Sequence, residues 1–295
     1  MNSASRDSSE GGDHDAGLPD RHEVLQTLLS TTARGGVPVR GDFVQLKQPN
    51  AAGSRIGPLA SLTSDEPALD AYLLIHALAS ASSPYESTYP AMTWAHAADM
   101  TRYASPKSAR QRWSKAVQKL KKLSLIQSER DGQQSKYTLL HESGNRAPYE
   151  RPRQISQGGW ITIPHAYWLD GFDRALPLVQ KLMLLVALDQ KPSFELPAAR
   201  IPQWYGIPES TAKRGLRGLE ERGILTVGKN STLNLKSPTL RRTVNVYSTT
   251  GIWTHAERKK AMTIKRGASG RVAFAGHGGS TESVAERREA ATDAV

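Results

Sequence analysis

Two stretches of this 295-residue chain carry the same pattern. A short helix is followed by a turn and a longer helix, and then by strand-forming residues broken by turn formers. In the first copy Leu120 is followed by Leu125 and Ile126, and in the second Leu219 is followed by Ile224 and Leu225 at the same interval. The shared register predicts two units of one design.

The first unit is expected over 65–140. Asp65-Glu66-Pro67 opens an apolar helix through Leu69, Tyr72, Leu73, Ile75, His76 and Leu78, with acid in the first turn to suit the helix dipole. A second helix is predicted from Met92 to Arg102. Ser105-Pro106 then supplies an N-cap and a first-turn proline for the third. Asp131-Gly132, between QSER and QQSKYTLL, predicts a tight hairpin.

The second unit is expected over 160–254. Its first helix is Leu178 to Ala187, its second Ile201 to Tyr205 and its third Pro208 to Arg222, with Gly206 as the turn and Gly223 closing the last. Pro202 requires the second helix to start at about Ile201. Strands are predicted at Thr226-Val227 and Thr243–Tyr247, joined by a long basic loop from Gly228 to Arg242.

Outside these units the composition changes. Residues 1–64 read as a largely disordered acidic arm, its acid concentrated in 1–20, where Asp7, Glu10, Asp13, Asp15 and Asp20 stand against Arg6 alone. Within it, 21–32 forms a short helix whose Leu25, Leu28 and Leu29 either cap the chain's own core or make a homodimer contact. One strand is expected at Phe43–Leu46. Residues 141–159, rich in Gly and Pro, read as a linker, and 255–295 as a flexible tail, basic and then mixed in charge, with a helix at 281–291.

The third helix of the first unit carries the clearest chemical signal. Ala109, Trp113, Ala116, Val117, Leu120 and Leu123 recur at steps of three and four and predict a buried stripe. At about 100° per residue the opposite face presents Lys107, Ser108, Gln111, Ser114, Lys115, Gln118 and Lys122. From Ser105 to Ile126 there are seven basic side chains, Lys107, Arg110, Arg112, Lys115, Lys119, Lys121 and Lys122, and no acidic one. A solvated face mixes both signs, so this run calls for an anionic partner such as phosphate. Gln can read adenine and Lys guanine from such a face.

In the second unit, Ala212, Leu216 and Leu219 turn inward while Ser210, Thr211, Arg214, Arg217 and Glu221 turn out. Lys213, Arg214, Arg217 and Arg222 are offset there by Glu209, Glu220 and Glu221. Base reading is therefore assigned to Ser210, Thr211 and Arg214, with Lys213 and Arg217 as further contacts. Phosphate anchoring falls to Lys229, Lys236, Arg241 and Arg242, in a stretch with no acid.

Both segments resemble the winged helix-turn-helix domains of bacterial transcription regulators, and their tandem arrangement is similar to plasmid replication initiators. The resemblance implies a three-helix core, a wing and base contacts from the third helix. The expected fold is mainly α with small β wings, two winged-helix domains in tandem and disordered tails at both ends. The expected partner is double-stranded DNA, bound by a sequence-specific regulator. Alternatives are a plasmid or mobile-element replication initiator binding origin repeats, a nonspecific DNA-coating or segregation protein, and an enzyme on nucleic acid that uses the units for targeting.

The composition agrees and narrows the chemistry. Against 28 Asp and Glu stand 39 Lys and Arg, a formal charge of +11 that attracts polyanions. The chain has no Cys, which removes disulfides, thiolate metal sites and Cys nucleophiles. His76, His96, His141, His165 and His255 are too scattered for a metal site, the glycines of 275–280 lack a phosphate-loop Lys, and no G-x-S-x-G elbow occurs. No catalytic residue, cofactor or metal is expected, and six Trp are read as core anchors rather than base-stacking platforms. No apolar run approaches the ~20 residues that cross a bilayer, and a cytoplasmic, nucleoid-associated location follows.

Overall fold

Asp20 caps α1 (Arg21–Ser30) by accepting the Glu23 amide at 3.3 Å, and Leu25, Leu28 and Leu29 are buried beneath it. The computed structural model describes residues 17–152, 159–233, 235, 236, 238 and 240–263. After α1 comes β1 (Gly36–Arg40), buried along its whole length. A strand hidden on both faces has to be apolar, and Val37, Pro38 and Val39 meet that demand.

In α2 (Glu66–Ala79) Asp65 accepts the Ala68 amide at 3.1 Å, and residues from Leu73 to Ala79 are buried on every side. Next come β2 (Glu86–Pro90), α3 (Ala91–Ala97), α4 (Pro106–Lys122), β3 (Ile126–Asp131) and β4 (Gln134–Leu139). The three strands form an antiparallel sheet in the order β2-β4-β3.

The order then repeats. β5 (Trp160–Pro164) leads through two short helices, α5 (Ala166–Leu169) and α6 (Phe172–Ala175), into α7 (Leu178–Asp189). There follow β6 (Phe194–Glu195), α8 (Ile201–Tyr205), α9 (Glu209–Glu221), β7 (Leu225–Leu233) and β8 (Arg241–Thr249), with sheet order β6-β8-β7. Each half is thus helix, strand, helix, helix, strand, strand, with its last strand in the middle of the sheet. Helix α10 (His255–Thr263) ends the described chain.

The strands that introduce the halves pair with each other. β1 and β5 run antiparallel, with Gly36 opposite Pro164, Pro38 opposite Thr162 and Arg40 opposite Trp160. An antiparallel pair has local two-fold symmetry, so equivalent strands of two repeats meet as equals. One hydrophobic cluster runs through both halves.

Buried cations tie the halves together. Lys181 of α7, only 2% exposed, reaches Asp70 at 2.7 Å and Glu66 at 2.8 Å, both on α2. Arg21 of α1 donates to Ala97 O at the end of α3 and to the Asp173 carboxylate of α6. Removing one partner from such a buried pair costs about 3–5 kcal/mol, because the other charge stays behind without water. Glu142, just beyond β4, accepts the Arg40 amide at 3.1 Å and sits 3.3 Å from the Arg40 guanidinium and 4.0 Å from His76.

Two glycines are required by close approach. Gly206, at φ 65°, turns the chain between α8 and α9, and a Cβ there would lie 2.7 Å from the Ala60 Cβ. Gly215 lets α9 lie against α7, where a Cβ would meet Met183 Cγ at 2.5 Å.

Several expectations are corrected. The described residues are 46% helical and 21% strand in three sheets, a mixed α/β fold and not a mainly α one with small wings. β1 was hidden in the sequence by its Gly and Pro, and β7 and β8 run nine residues each, well beyond the short strands expected at Thr226-Val227 and Thr243–Tyr247. Residues 17–64 are ordered rather than an arm. Phe43–Leu46 is not a strand: a 3-10 turn spans Gly41–Phe43 and Gln45 makes a single bridge to Ile56. Of the two readings of the α1 leucines, the chain's own core is the one they take, since Leu25, Leu28 and Leu29 pack inward. The expected linker is packed over 141–152, where Glu142 and Tyr149 are buried. The helix expected at Met92–Arg102 is Ala91–Ala97, the hairpin turn is Gly132-Gln133, and 255–263 forms α10 instead of tail. The acidic stretch 1–16 and the tail 264–295, with its glycines and its expected helix, lie outside the described residues, as do 153–158.

Gly215→Val is expected to lower stability by about 1–3 kcal/mol through overpacking. The urea midpoint reads this, and an unaltered midpoint contradicts the α7 contact. A second expectation concerns pH. Burial lowers the His76 pKa from 6.5 to about 4. Burial also raises Glu142 from 4.5 to about 7, against the pull of its own and Arg40's amides and of the Arg40 guanidinium. Between these values the unfolded chain protonates His76 and deprotonates Glu142, so the two effects on stability cancel. In His76→Gln only the Glu142 effect remains, and stability falls by about 1.4 kcal/mol per pH unit relative to the parent as pH rises through that window. In Glu142→Gln it rises with pH by a similar slope. Unfolding measured from pH 4.5 to 6.5 checks both signs, and parallel profiles for all three proteins contradict the pairing.

Candidate nucleic-acid interface

Helix α4 begins where the sequence places it. Ser105 Oγ accepts the Ser108 amide at 3.3 Å and Pro106 fills the first turn. Ala109, Trp113, Ala116, Val117 and Leu120 are buried against α2 and α3. Trp113 stacks on Trp94 with centroids 5.5 Å apart, and its Nε1–H donates to Tyr137 Oη at 2.8 Å. This contact locks the inner face to the sheet and so fixes which residues look outward.

Outward are Lys107, Ser108, Gln111, Ser114, Lys115, Gln118 and Lys122, all exposed. Arg110 and Lys121 flank them on one side and Arg112 and Lys119 on the other, with Lys119 half-buried. Arg112 donates to Met100 O at 3.5 Å. Among the described residues no carboxylate pairs with these cations. Lys119, Lys121 and Lys122 lie in the last turn, where the helix dipole favours positive charge. Lys107 lies in the first turn, where it does not, so an anion supplied from outside would relieve that end most.

Helix α9 has a different electrostatic character. Lys213 pairs with Glu209 at 2.6 Å and Arg217 with Glu221 at 2.8 Å, each one turn away on the same helix. Their charges are answered locally. Ser210 and Arg214 are exposed and Thr211 is half-buried, while Ala212, Gly215, Leu216, Gly218 and Leu219 face the core.

The two hairpins also differ. β3 and β4 are six residues each, and Lys136 there is held by Glu129 at 2.8 Å and Glu86 at 3.6 Å. β7 and β8 are nine residues each, exposed from Gly228 to Leu233 on one strand and over Arg241–Thr243 on the other. Lys229, Arg241 and Arg242 all lie on this arm and are exposed, with Arg242 opposite Thr232 and Lys229 opposite Asn245.

The sequence reading missed two features. Tyr103, 85% exposed with Arg102 5.0 Å from its ring, precedes α4. Leu233, Leu235 and Leu240 are exposed near the end of the β7–β8 arm. The signal was three leucines in an otherwise polar, cationic stretch, which the loop assignment concealed. Of the six Trp, Trp94, Trp113, Trp168 and Trp253 are buried, while Trp160 and Trp204 are half-buried.

Among the described residues no group of three or more His, Asp or Glu is placed to hold a metal, and no helix is long and apolar enough to cross a membrane. Comparison with known protein families, curated proteins and solved structures finds no match.

Proposed function

We propose that the chain binds double-stranded DNA through two winged helices in tandem, with α4 and α9 as the recognition helices and the two hairpins as wings, and that it acts as a sequence-specific transcription regulator. The observation that carries this reading is the outward face of α4, cationic from end to end, exposed, and among the described residues without a carboxylate to answer it. A helix fits the major groove, roughly 12 Å wide, and places such a row against phosphate.

Gln111 reads adenine and Lys107 and Lys115 reach guanine or flanking phosphate. Ser210, Thr211 and Arg214 supply the second set of base contacts. Because Lys213 and Arg217 already have carboxylate partners, α9 contributes less to counterion release than α4 does. The two helices differ in residue type, so one chain reads a site that needs no palindrome. Duplex DNA as partner places the protein at the nucleoid in the cytoplasm.

Salt dependence of binding to duplex DNA tests this. Lys115→Ala is expected to weaken binding to every sequence and to reduce the slope of log affinity against log salt by about one. Glu209→Gln with Glu221→Gln frees Lys213 and Arg217 and is expected to steepen the slope by up to about two. Duplex affinity that is insensitive to both changes contradicts the reading.

A further inference from the structure

The β7–β8 arm has features that phosphate anchoring does not explain. Leu233 is 75% exposed, Leu235 77% and Leu240 55%, and Pro238 beside them is exposed too. Exposed leucines gathered at the end of a hairpin are costly in water unless something covers them. From Gly228 to Leu233 the first strand advances about 17 Å at the usual rise, so the tip stands well clear of the core. Behind the tip the arm is uniformly cationic: from Arg222 to Ala256 the chain holds Arg222, Lys229, Lys236, Arg241 and Arg242 and no Asp or Glu.

An apolar tip on a basic ribbon is suited to one occupant. Cations along both strands match the phosphates that line a groove on either side. Leucine and proline at the end match the faces of base pairs, the one apolar surface that a duplex can offer when a step is opened. The arm leaves the body at Leu225, four residues after α9 ends, so a duplex lying against α9 is within its reach.

We propose that the β7–β8 arm enters the minor groove and that Leu233, Leu235 and Leu240 wedge against a base step, unstacking it and bending the duplex. The inference rests on the DNA-binding reading above. Pyrimidine–purine steps yield most readily to such a wedge, so the bend is expected at a TA or CA step in the bound site.

The test uses the full chain and a duplex of about 30 base pairs, recovered by selection from random DNA, with a donor and acceptor dye at its ends. Anisotropy reports binding and energy transfer reports the bend. The unsubstituted protein should bind and raise the transfer. The L233S/L235S/L240S protein should bind within about tenfold of that affinity, since phosphate contacts remain, and should lose the rise in transfer. Its circular dichroism should match that of the parent, because the exchanged side chains are exposed. Binding without a bend by the parent, or an undiminished bend by the triple variant, overturns the wedge and leaves DNA binding intact. A triple variant that bends DNA normally but sediments as a smaller species than the parent assigns the leucines to a second copy, and also overturns it. Failure of the parent to bind any duplex overturns the underlying reading itself.

Discussion

Everything in this fold turns on two five-residue strands that lie more than a hundred residues apart and, among the described residues, form a sheet of their own. β1 and β5 each introduce one copy of the repeated unit, and their antiparallel ladder joins the copies through a shared interior strand pair instead of a tether. Pro38 within β1 lacks an N–H donor, so its contribution to a ladder is limited to its carbonyl, and that carbonyl is 2.8 Å from His76 Nε2 on α2. The pair is thereby tied to the first helix of its own unit as well as to its counterpart. Lys181, Arg21 and Arg40 add charged contacts across the same region, and each is held by carboxylates or carbonyls from a different element.

That contrast between interior and exterior cations is the electrostatic logic of the molecule. The interior cations Lys181, Arg21 and Arg40 each have a carboxylate partner, because a charge without one in low dielectric is prohibitive. On α9 two of the exterior cations, Lys213 and Arg217, are answered as well, by carboxylates one turn away. On α4 and along the β7–β8 arm the chain supplies positive charge without adjacent acid. The repeats are alike in topology and unlike in charge, so the proposed division of labour places phosphate attraction in the first unit's helix and in the second unit's arm.

How much of this was readable in advance depended on the kind of signal. The limits of α4, α8 and α9 were legible because caps and breakers mark them: Ser105-Pro106, Pro202, Gly206 and Gly223. The stripe through Trp113 and Leu120 was legible because helical periodicity survives wherever one face is dry. β1 was not, since Gly-Val-Pro-Val-Arg reads as a broken loop until a partner strand 120 residues on gives it a ladder. Glu142 and Tyr149 sat in a stretch whose Gly and Pro suggested a linker, and only tertiary packing against Arg40 and His76 makes it core. The length of the β7–β8 arm was concealed by its polar residues, and with it the exposure of its leucines. Local chemistry was therefore a sound guide to the candidate helix face and a poor one to the interior that positions it.

The central claim is that the open face of α4 is where a duplex lies. Acetylation of lysines in the full chain, with and without duplex DNA and read residue by residue by mass spectrometry, tests it most directly. The account predicts that DNA slows modification of Lys107, Lys115 and Lys122 and leaves the exposed Lys191 and Lys259 unaffected. Equal modification of all five with and without DNA, or slowing confined to Lys191 and Lys259, would contradict it.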